Sequence, residues 1–223
     1  MARAAVIIIG GGAPDGRVRR HLPGGALVIA ADSGFDHAVA LGLEVDLLVG
    51  DLDSISPTGL ERAAGRGVTI LAHPPDKDFT DTELAIEAAL ARGARHLVAV
   101  TGGPDPAESR LDHELGTLLA LSRPDLREVR IEAWWGSTLV RVAHGPAEVE
   151  VGAASGTLLS LLPLHGAAVG VATSGLRFPL HRETLPAGSS RGVSNEVATS
   201  PASVSLEAGT LLVVQPDFLG GHQ

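Results

Sequence analysis

Apolar residues in the first part of the chain occur in short runs that alternate with amphipathic stretches. Short apolar runs bounded by turn residues are typical of buried strands, and apolar positions three or four residues apart indicate a helix that faces a core. The predicted strands are 5–9, 27–31, 47–49, 68–71, 97–100 and 129–133. The predicted helices are 35–41, 58–64, 80–91 and 112–121. This alternation predicts a three-layer α/β domain with a mainly parallel sheet.

Beyond residue 135 the pattern changes to short apolar runs separated by glycine and proline, with no convincing helix. The predicted strands there are 139–142, 147–151, 157–162, 167–173, 203–206 and 211–214. An all-β C-terminal sandwich follows from this pattern. We therefore expect two domains, 1–134 and 135–223, with the junction at Trp134-Trp135-Gly136. The stretch 186–201 is rich in serine and glycine and is predicted to be a long, partly mobile loop.

Composition excludes several classes of protein. No apolar run reaches the roughly 18 residues that a membrane span needs, so we expect no membrane partner. Residues 1–9 run directly into Gly10-Gly11-Gly12 and read as a first strand, not a signal peptide, which favours the cytoplasm. The formal charge of −9 argues against a nucleic-acid partner. The absence of cysteine excludes disulfides, thiolate zinc sites and a cysteine nucleophile.

Familiar catalytic and nucleotide-binding motifs are also missing. The nine histidines are scattered without HxxxH spacing, and there is no Gly-x-Ser-x-Gly elbow. Neither a GxxxxGK[ST] loop nor a GxGxxG fingerprint follows the first strand, so any ATP would bind without a P-loop. Lys77 is the only lysine among 17 basic residues.

Acidic residues follow several of the predicted strands. Because parallel strands end at the same edge of a sheet, these carboxylates should converge on one crevice. Converging carboxylates repel unless a hard cation neutralises them, and oxygen-only ligands favour Mg²⁺ together with substrate phosphates. A simpler role as a helix cap or turn residue stays open for each acid alone, but less so for Asp51 and Asp53, which flank one residue. The acids in question are Asp32, Asp51, Asp53, Asp78 and Asp81.

Five sequence blocks occur in a fixed order: ADSG at 31–34, VGDLDS at 49–54, KDFTDTELA at 77–85, RLDHEL at 110–115, and the C-terminal pair SGLRFPL at 174–180 with GVSNE at 192–196. Together they resemble the thiamine pyrophosphokinase family. The resemblance implies an enzyme that transfers pyrophosphate from ATP to the hydroxyl of thiamine and releases AMP. It also implies an ATP-binding domain at 1–134, a thiamine-binding β-sandwich at 135–223, and a homodimer.

The resemblance further assigns roles to individual residues. Asp51, Asp53 and Asp81 would hold Mg²⁺, with Asp32 as a further ligand or as an acceptor for the thiamine hydroxyl proton. Phosphoryl transfer needs positive charge on the phosphate oxygens, which Lys77 and Arg110 would supply. The residues assigned to ATP are Gly11, Lys77, Asp78, Thr80, Arg110, Asp112 and His113. Phe178 would stack on thiamine, and Ser194 and Asn195 would hydrogen-bond its pyrimidine ring.

Several alternatives remain open at this point. Asp112 could serve only as an N-cap, Lys77 could be a surface residue, and Phe178 could belong to the core. Phe35-Asp36 replaces the usual Ala-Asn after the first block, and 102–109 is longer than the usual glycine turn. The alternative functions are a pyrophosphokinase acting on another hydroxymethyl compound, such as a pterin, and a non-catalytic nucleotide- or thiamine-binding regulator.

Overall fold

The computed structural model describes residues 3–103 and 110–220. The chain divides into two compact units, one containing Met1–Ala120 and Val129–Gly136, the other containing Leu121–Glu128 and Ser137–Gln223. Among the described residues, no helix combines the length and apolar character needed to cross a membrane.

The first unit is built on a parallel sheet. Its strands are β1 (Arg3–Ile8), β2 (Leu27–Ala31), β3 (Leu47–Gly50), β4 (Thr69–Ala72), β5 (Ala94–Thr101) and β6 (Arg130–Trp135). Its helices are α1 (Gly34–Ala40), α2 (Pro57–Gly65), α3 (Asp81–Ala91) and α4 (Leu111–Leu121), of which the last residue is grouped with the second unit. The strand order is β4-β3-β2-β1-β5-β6, and each neighbouring pair is parallel.

Local sequence explains where the helices of this unit begin. Thr80 accepts a hydrogen bond from the Glu83 N–H while the Glu83 carboxylate accepts one from the Thr80 N–H, so a complete capping box starts α3. Ser56 caps α2 in front of Pro57, whose fixed φ suits the first helical position. The Asp36 carboxylate in turn accepts hydrogen bonds from the Ser56 N–H and hydroxyl, at 2.9 and 2.8 Å. Asp36 therefore serves the start of a helix.

Successive strands are added first on one side of β1 and then on the other, so the switch point of the sheet lies between β1 and β5. The strands β2 to β4 lie on one side of β1, and β5 and β6 lie on the other. Loops that leave the carboxyl ends of two such strands diverge and open a crevice, which is where ligands of open α/β sheets bind.

The second unit is antiparallel. Its strands are β7 (Thr138–His144), β8 (Ala147–Val151), β9 (Leu158–Ser174), β10 (Glu183–Leu185), β11 (Asn195–Glu196), β12 (Ala202–Leu206) and β13 (Ala208–Gln215). Their order is β7-β13-β9-β12-β8, with β10 and β11 paired to β9. Side chains from both ends of β9 enter one buried cluster, which includes Leu161 and Val171. The predicted fold class, a mainly parallel α/β part followed by a β-rich part, is confirmed.

Two details of the second unit differ from the sequence prediction. Segments 157–162 and 167–173, predicted as separate strands, belong to the single strand β9, except for Thr157. The intervening residues read as a turn, but Pro163 still pairs with Leu211, and His165 and Gly166 bend the strand with φ values of 58° and 141°. The loop predicted at 186–201 is interrupted by β11, which pairs with β9.

Candidate active site

A crevice of about 760 Å³ opens at the carboxyl edge of the parallel sheet. Its wall consists of residues at or just after the carboxyl ends of β1, β2, β3, β5 and β6, together with the first residues of α3 and α4. All of its lining residues belong to the first unit. The crevice therefore lies where the strand order predicts a ligand site.

Glycines bring backbone into the crevice wall after β1. Gly11 has a φ of 99°, which a side chain would strain, and its carbonyl oxygen lies 2.9 Å from His37 Nε2. The Gly12 carbonyl accepts a hydrogen bond from the Gly102 N–H at 3.0 Å, so the loops after β1 and β5 are tied together. Gly11, predicted to contact ATP, lies on the crevice wall.

Three carboxylates meet at the ends of β2 and β3. Asp32, Asp51 and Asp53 each offer an oxygen, and these oxygens lie within 4.8 Å of one another. Asp32 is only 7% exposed and has a left-handed φ of 48°. Its Oδ2 accepts a hydrogen bond from the Ser54 hydroxyl, but its Oδ1 has no hydrogen-bond partner within residues 3–103 and 110–220. A buried carboxylate oxygen without a partner is costly, which makes this corner suitable for a cation.

Lys77 supplies positive charge to the same corner. Its Nζ lies 2.7 Å from Asp51 Oδ2 and 2.9 Å from Asp81 Oδ1, and the side chains of Lys77 and Asp51 are each 12% exposed. The hydrogen bond from Lys77 lowers the pKa of the Asp51 carboxyl. The negative charge of Asp51 raises the pKa of the neighbouring Asp53 carboxyl. Burial acts against the Lys77 charge, but the hydrogen bonds and charges of Asp51 and Asp81 outweigh it and raise the pKa of Lys77.

The predicted metal ligands are not all in one cluster. Asp51 and Asp53 lie together with Asp32, whereas Asp81 lines the crevice as the partner of Lys77. Gly50 allows the close approach, because a Cβ there would lie 3.1 Å from Asp81 Oδ1 and 3.2 Å from Asp32 Cβ. The proposal that Asp81 binds the metal remains a prediction.

The remaining predicted ATP residues of the KDFTD block have different surroundings. Asp78 is exposed in the segment that precedes α3. The Thr80 hydroxyl caps α3, although Thr80 itself lines the crevice. Their assignment to ATP stays a prediction.

A second charged group stands at the start of α4. Arg110 donates to both oxygens of Asp112, at 3.0 and 2.8 Å, and its Nη2 lies 2.7 Å from His113 Nε2. The hydrogen bond from Arg110 lowers the pKa of the Asp112 carboxyl to about 2. All three side chains line the crevice but are more than 60% exposed, so solvent screens this pair far more than the pair made by Lys77.

The predicted thiamine residues lie in the second unit. The Phe178 ring is 60% exposed, and the Arg177 guanidinium carbon lies 5.6 Å from its centroid. Asn195 is buried and holds the Phe178 backbone, because its Oδ1 accepts from the Phe178 N–H at 3.1 Å and its Nδ2 donates to the Phe178 carbonyl at 2.8 Å. Ser194 is exposed, has a φ of 61° and donates its N–H to Ser160 Oγ at 3.1 Å.

Sequence reasoning missed Trp135 and Ser54. Trp135 is the last residue of β6 and lines the crevice, and Ser54 holds the buried Asp32 carboxylate. The strand-end rule that pointed to the acids also applies to Trp135, but its sequence was interpreted only as a domain junction.

Comparison with known proteins identifies the family. The family model described as "Thiamin pyrophosphokinase, catalytic domain" matches residues 19–133, more than half of the 223 residues. The model described as "Thiamin pyrophosphokinase, vitamin B1 binding domain" matches residues 147–211. The chain belongs to the thiamine pyrophosphokinase family. Members of this family are enzymes that convert thiamine to thiamine diphosphate, so the predicted family and enzyme class are confirmed.

Individual relatives agree with this family. The thiamine pyrophosphokinase of Bacillus subtilis is 23% identical over 192 residues, covering 85% of this chain and 86% of the relative. A crystal structure of the Bacillus subtilis protein superposes with a TM-score of 0.80 at 21% identity, covering 96% of this chain and 98% of that one. Thiamin pyrophosphokinase from Candida albicans gives a TM-score of 0.76 at 12% identity, covering 96% and 89%. These structures share the fold of this chain over the 96% that they cover.

Proposed function

We propose that the crevice binds ATP and Mg²⁺ and promotes the transfer of pyrophosphate to the thiamine hydroxyl, which gives thiamine diphosphate and AMP. The observation that carries this proposal is the group of Asp32, Asp51 and Asp53, whose oxygens lie within 4.8 Å of one another on the wall of the crevice at the carboxyl edge of the parallel sheet. A site of this kind suits a polyphosphate substrate, because the metal and the phosphates neutralise each other.

The residues fit a divalent cation. The donor set consists of carboxylate oxygens, which Mg²⁺ prefers, and the buried Asp32 Oδ1 lacks a protein partner among the described residues. Asp32, Asp51 and Asp53 would hold the cation, with Asp81 beside them. When bound, Mg²⁺ would screen the charge of the transferred pyrophosphoryl group.

Besides the metal, the phosphate oxygens need hydrogen-bond donors from the protein. Lys77 and Arg110 are the cations of the two charged groups described above. Arg110 has a planar fork that can bind two phosphate oxygens, and Lys77 is a compact point charge. The N–H groups at the start of α4, where Asp112 and His113 lie, would add a positive helix end.

Trp135 is a candidate for holding the adenine base. It lines the crevice at the end of β6, next to the loop after β5, where a Cβ on Gly103 would lie 3.3 Å from Trp135 Cδ1. Such a ring offers the flat surface on which a base stacks.

Phe178 would contact thiamine, and Asn195 would position Phe178. The exposed Phe178 ring can stack on a flat cationic ligand through the face that Arg177 leaves open. The Asn195 amide is engaged with the Phe178 backbone and the Glu196 N–H, so we assign it the positioning of that ring. Ser194 is exposed beside it and would supply a hydroxyl to the pyrimidine.

A homodimer is part of this proposal. Leu111 and Leu115 lie one turn apart on α4 and are 62% and 51% exposed, as expected for side chains that a second copy covers. Light scattering on the purified protein measures the mass, and Leu115→Glu should shift a dimer toward monomer. A wild-type protein that stays monomeric at enzyme-assay and higher concentrations would refute this part.

One assay tests the reaction. Purified protein is supplied with ATP, Mg²⁺ and thiamine, and the products are separated by chromatography. AMP and thiamine diphosphate are expected in equal amounts. Formation of ADP and thiamine monophosphate would contradict pyrophosphate transfer.

The same assay separates the alternative functions. A hydroxymethyl pterin replaces thiamine in a parallel reaction, and turnover with the pterin alone would favour that alternative. Binding of thiamine without turnover, measured by calorimetry, would favour a regulator.

A further inference from the structure

Lys77 makes a contact with Asp51, a residue of the crevice wall, that the proposed metal site does not explain. Asp51 belongs to the carboxylate group proposed to bind the cation, yet its Oδ2 is already bound by Lys77 Nζ at 2.7 Å. Its Oδ1 accepts the Asp53 N–H at 3.3 Å. Both Asp51 oxygens already accept a hydrogen bond, so a divalent cation that binds Oδ2 competes there with the ammonium group.

Repulsion between the two cations acts in the same sense. Lys77 lies between Asp51 and Asp81, and the other cation described above at the crevice wall, Arg110, is paired with Asp112. A divalent cation held next to Asp51 would repel a Lys77 ammonium that stayed in place. A divalent cation and the Lys77 ammonium therefore compete for the negative charge of Asp51.

The residue type suits an exchange. Lysine carries a point charge on a flexible four-carbon side chain, so it can change partners without a shift of the backbone, whereas a guanidinium would grip Asp51 through two hydrogen bonds. Lys77 is also the only lysine in a chain whose other basic residues are all arginine. It lies in the segment between β4 and α3, outside any helix or strand.

We propose that Lys77 is an exchangeable counter-ion, which neutralises Asp51 in the metal-free crevice and leaves it when a divalent cation binds, so that its ammonium becomes available to the polyphosphate. This inference rests on the proposed function, since it assumes the cation and the polyphosphate. Lys77 thereby competes with the metal for Asp51 and becomes a ligand for phosphate once the metal has bound. Metal and nucleotide binding become ordered, because the cation releases the group that the phosphates need.

The single lysine provides a direct test in the unmodified protein. Protein grown with ¹³Cε-lysine has one labelled side chain, and its NMR signal is followed while Mg²⁺ alone is added. The signal should shift and sharpen saturably as Lys77 leaves Asp51, and should broaden or shift again when tripolyphosphate follows. A signal that does not respond to Mg²⁺, under conditions in which Mn²⁺ binding is detected by electron paramagnetic resonance, would overturn the proposal. Absence of saturable Mn²⁺ binding would overturn it as well.

Substitutions test the competition separately. Without nucleotide, Lys77→Met should raise Mn²⁺ affinity by about fivefold or more, because the competing cation is gone. The same variant should bind tripolyphosphate more weakly. Lys77→Arg keeps a competing charge and should bind Mn²⁺ no more tightly than the wild type.

Arg110→Met is the matched control for charge alone. It removes one positive charge from the crevice wall but none from Asp51, so its Mn²⁺ affinity should change by less than about twofold. An increase as large as that of Lys77→Met would mean that net charge, not exchange at Asp51, sets the affinity. None of these measurements involves thiamine or turnover, so they distinguish failure of the exchange from failure of the proposed reaction.

Discussion

The two units hold their candidate residues by different means. In the first unit, Asp51 and Lys77 form a little-exposed ion pair, Lys77 lowers the pKa of Asp51, and the charge of Asp51 raises the pKa of Asp53. In the second unit, Phe178 is mostly exposed and is held through its backbone by the buried Asn195. A substitution in the first unit therefore alters a shared electric field, whereas in the second unit the ring and the residue that holds it can be removed one at a time.

The largest effect is expected at Asp51. Asp51→Asn should lower kcat by at least 100-fold, because a lost metal ligand costs on the order of 3 kcal/mol in the transition state. It should also lower the melting temperature of the metal-free protein, since Lys77 loses one of its two partners. Steady-state kinetics and thermal unfolding measure the two effects. Near-normal turnover at limiting Mg²⁺ would remove Asp51 from the metal site.

Asp53→Asn sharpens the comparison within the same corner. Activity should fall as far as for Asp51→Asn, but stability should change in the other direction. The charge of Asp51 raises the pKa of Asp53, so ionisation of Asp53 disfavours the folded state, and this destabilisation sets in as the pH rises through that pKa. At pH 7 without Mg²⁺, Asp53→Asn should thus melt at the same temperature as the wild type or higher. A clear drop would show that Asp53 makes a stabilising contact.

Removal of the residue that holds the ring should disturb the second unit locally. Asn195→Ala deprives the Phe178 N–H and carbonyl and the Glu196 N–H of their partner, which we expect to cost about 2–3 kcal/mol of unfolding free energy. Denaturant unfolding measures this cost. ATP affinity should stay unchanged; a large loss of ATP affinity with unchanged stability would contradict the positioning role of Asn195.

Removal of the ring itself should affect the ligand only. Phe178→Ala should weaken thiamine binding by about 1–3 kcal/mol through lost burial and cation–π contact. Its melting temperature should barely change, because the ring is exposed. Calorimetry with thiamine and with ATP gives both affinities, and ATP should stay within about twofold. An unchanged thiamine affinity would reject the stacking role and favour the pterin alternative.

The smallest effect is expected at Trp135. Trp135→Leu should weaken AMP binding by about 1 kcal/mol, the usual contribution of aromatic stacking to the binding free energy. The chain has two tryptophans and no tyrosine, so tryptophan fluorescence reports on Trp134 and Trp135 alone. AMP should quench the fluorescence of the wild type and of Trp134→Phe, in which Trp135 remains. Quenching that persists in Trp135→Leu would place the base elsewhere.

Much of the fold and part of the site followed from the sequence alone. Apolar runs identified β1 to β6, and the common edge of parallel strands brought Asp32, Asp51 and Asp53 together as expected. The continuity of β9 could not be foreseen, because Pro163 and Gly166 are turn residues unless a partner strand holds them. The contacts of Lys77 and Asn195 depend on chain segments far apart in sequence, which no local pattern records.

The arrangement of β9 and β13 also bears on how the second unit folds. β13 lies between β7 and β9 in the sheet, so Gln215 pairs with Leu139 and Val213 pairs with Leu161. These partners are far apart along the chain. The entropy of closing the intervening loops must be lost before the stabilising contacts form. The C-terminal sheet therefore has a high contact order and cannot be completed until its last strand, β13, has been synthesised. Until β13 is synthesised, β7 and β9 each keep an unpaired edge where β13 will bind. Unpaired strand edges are the sites at which β proteins aggregate most readily.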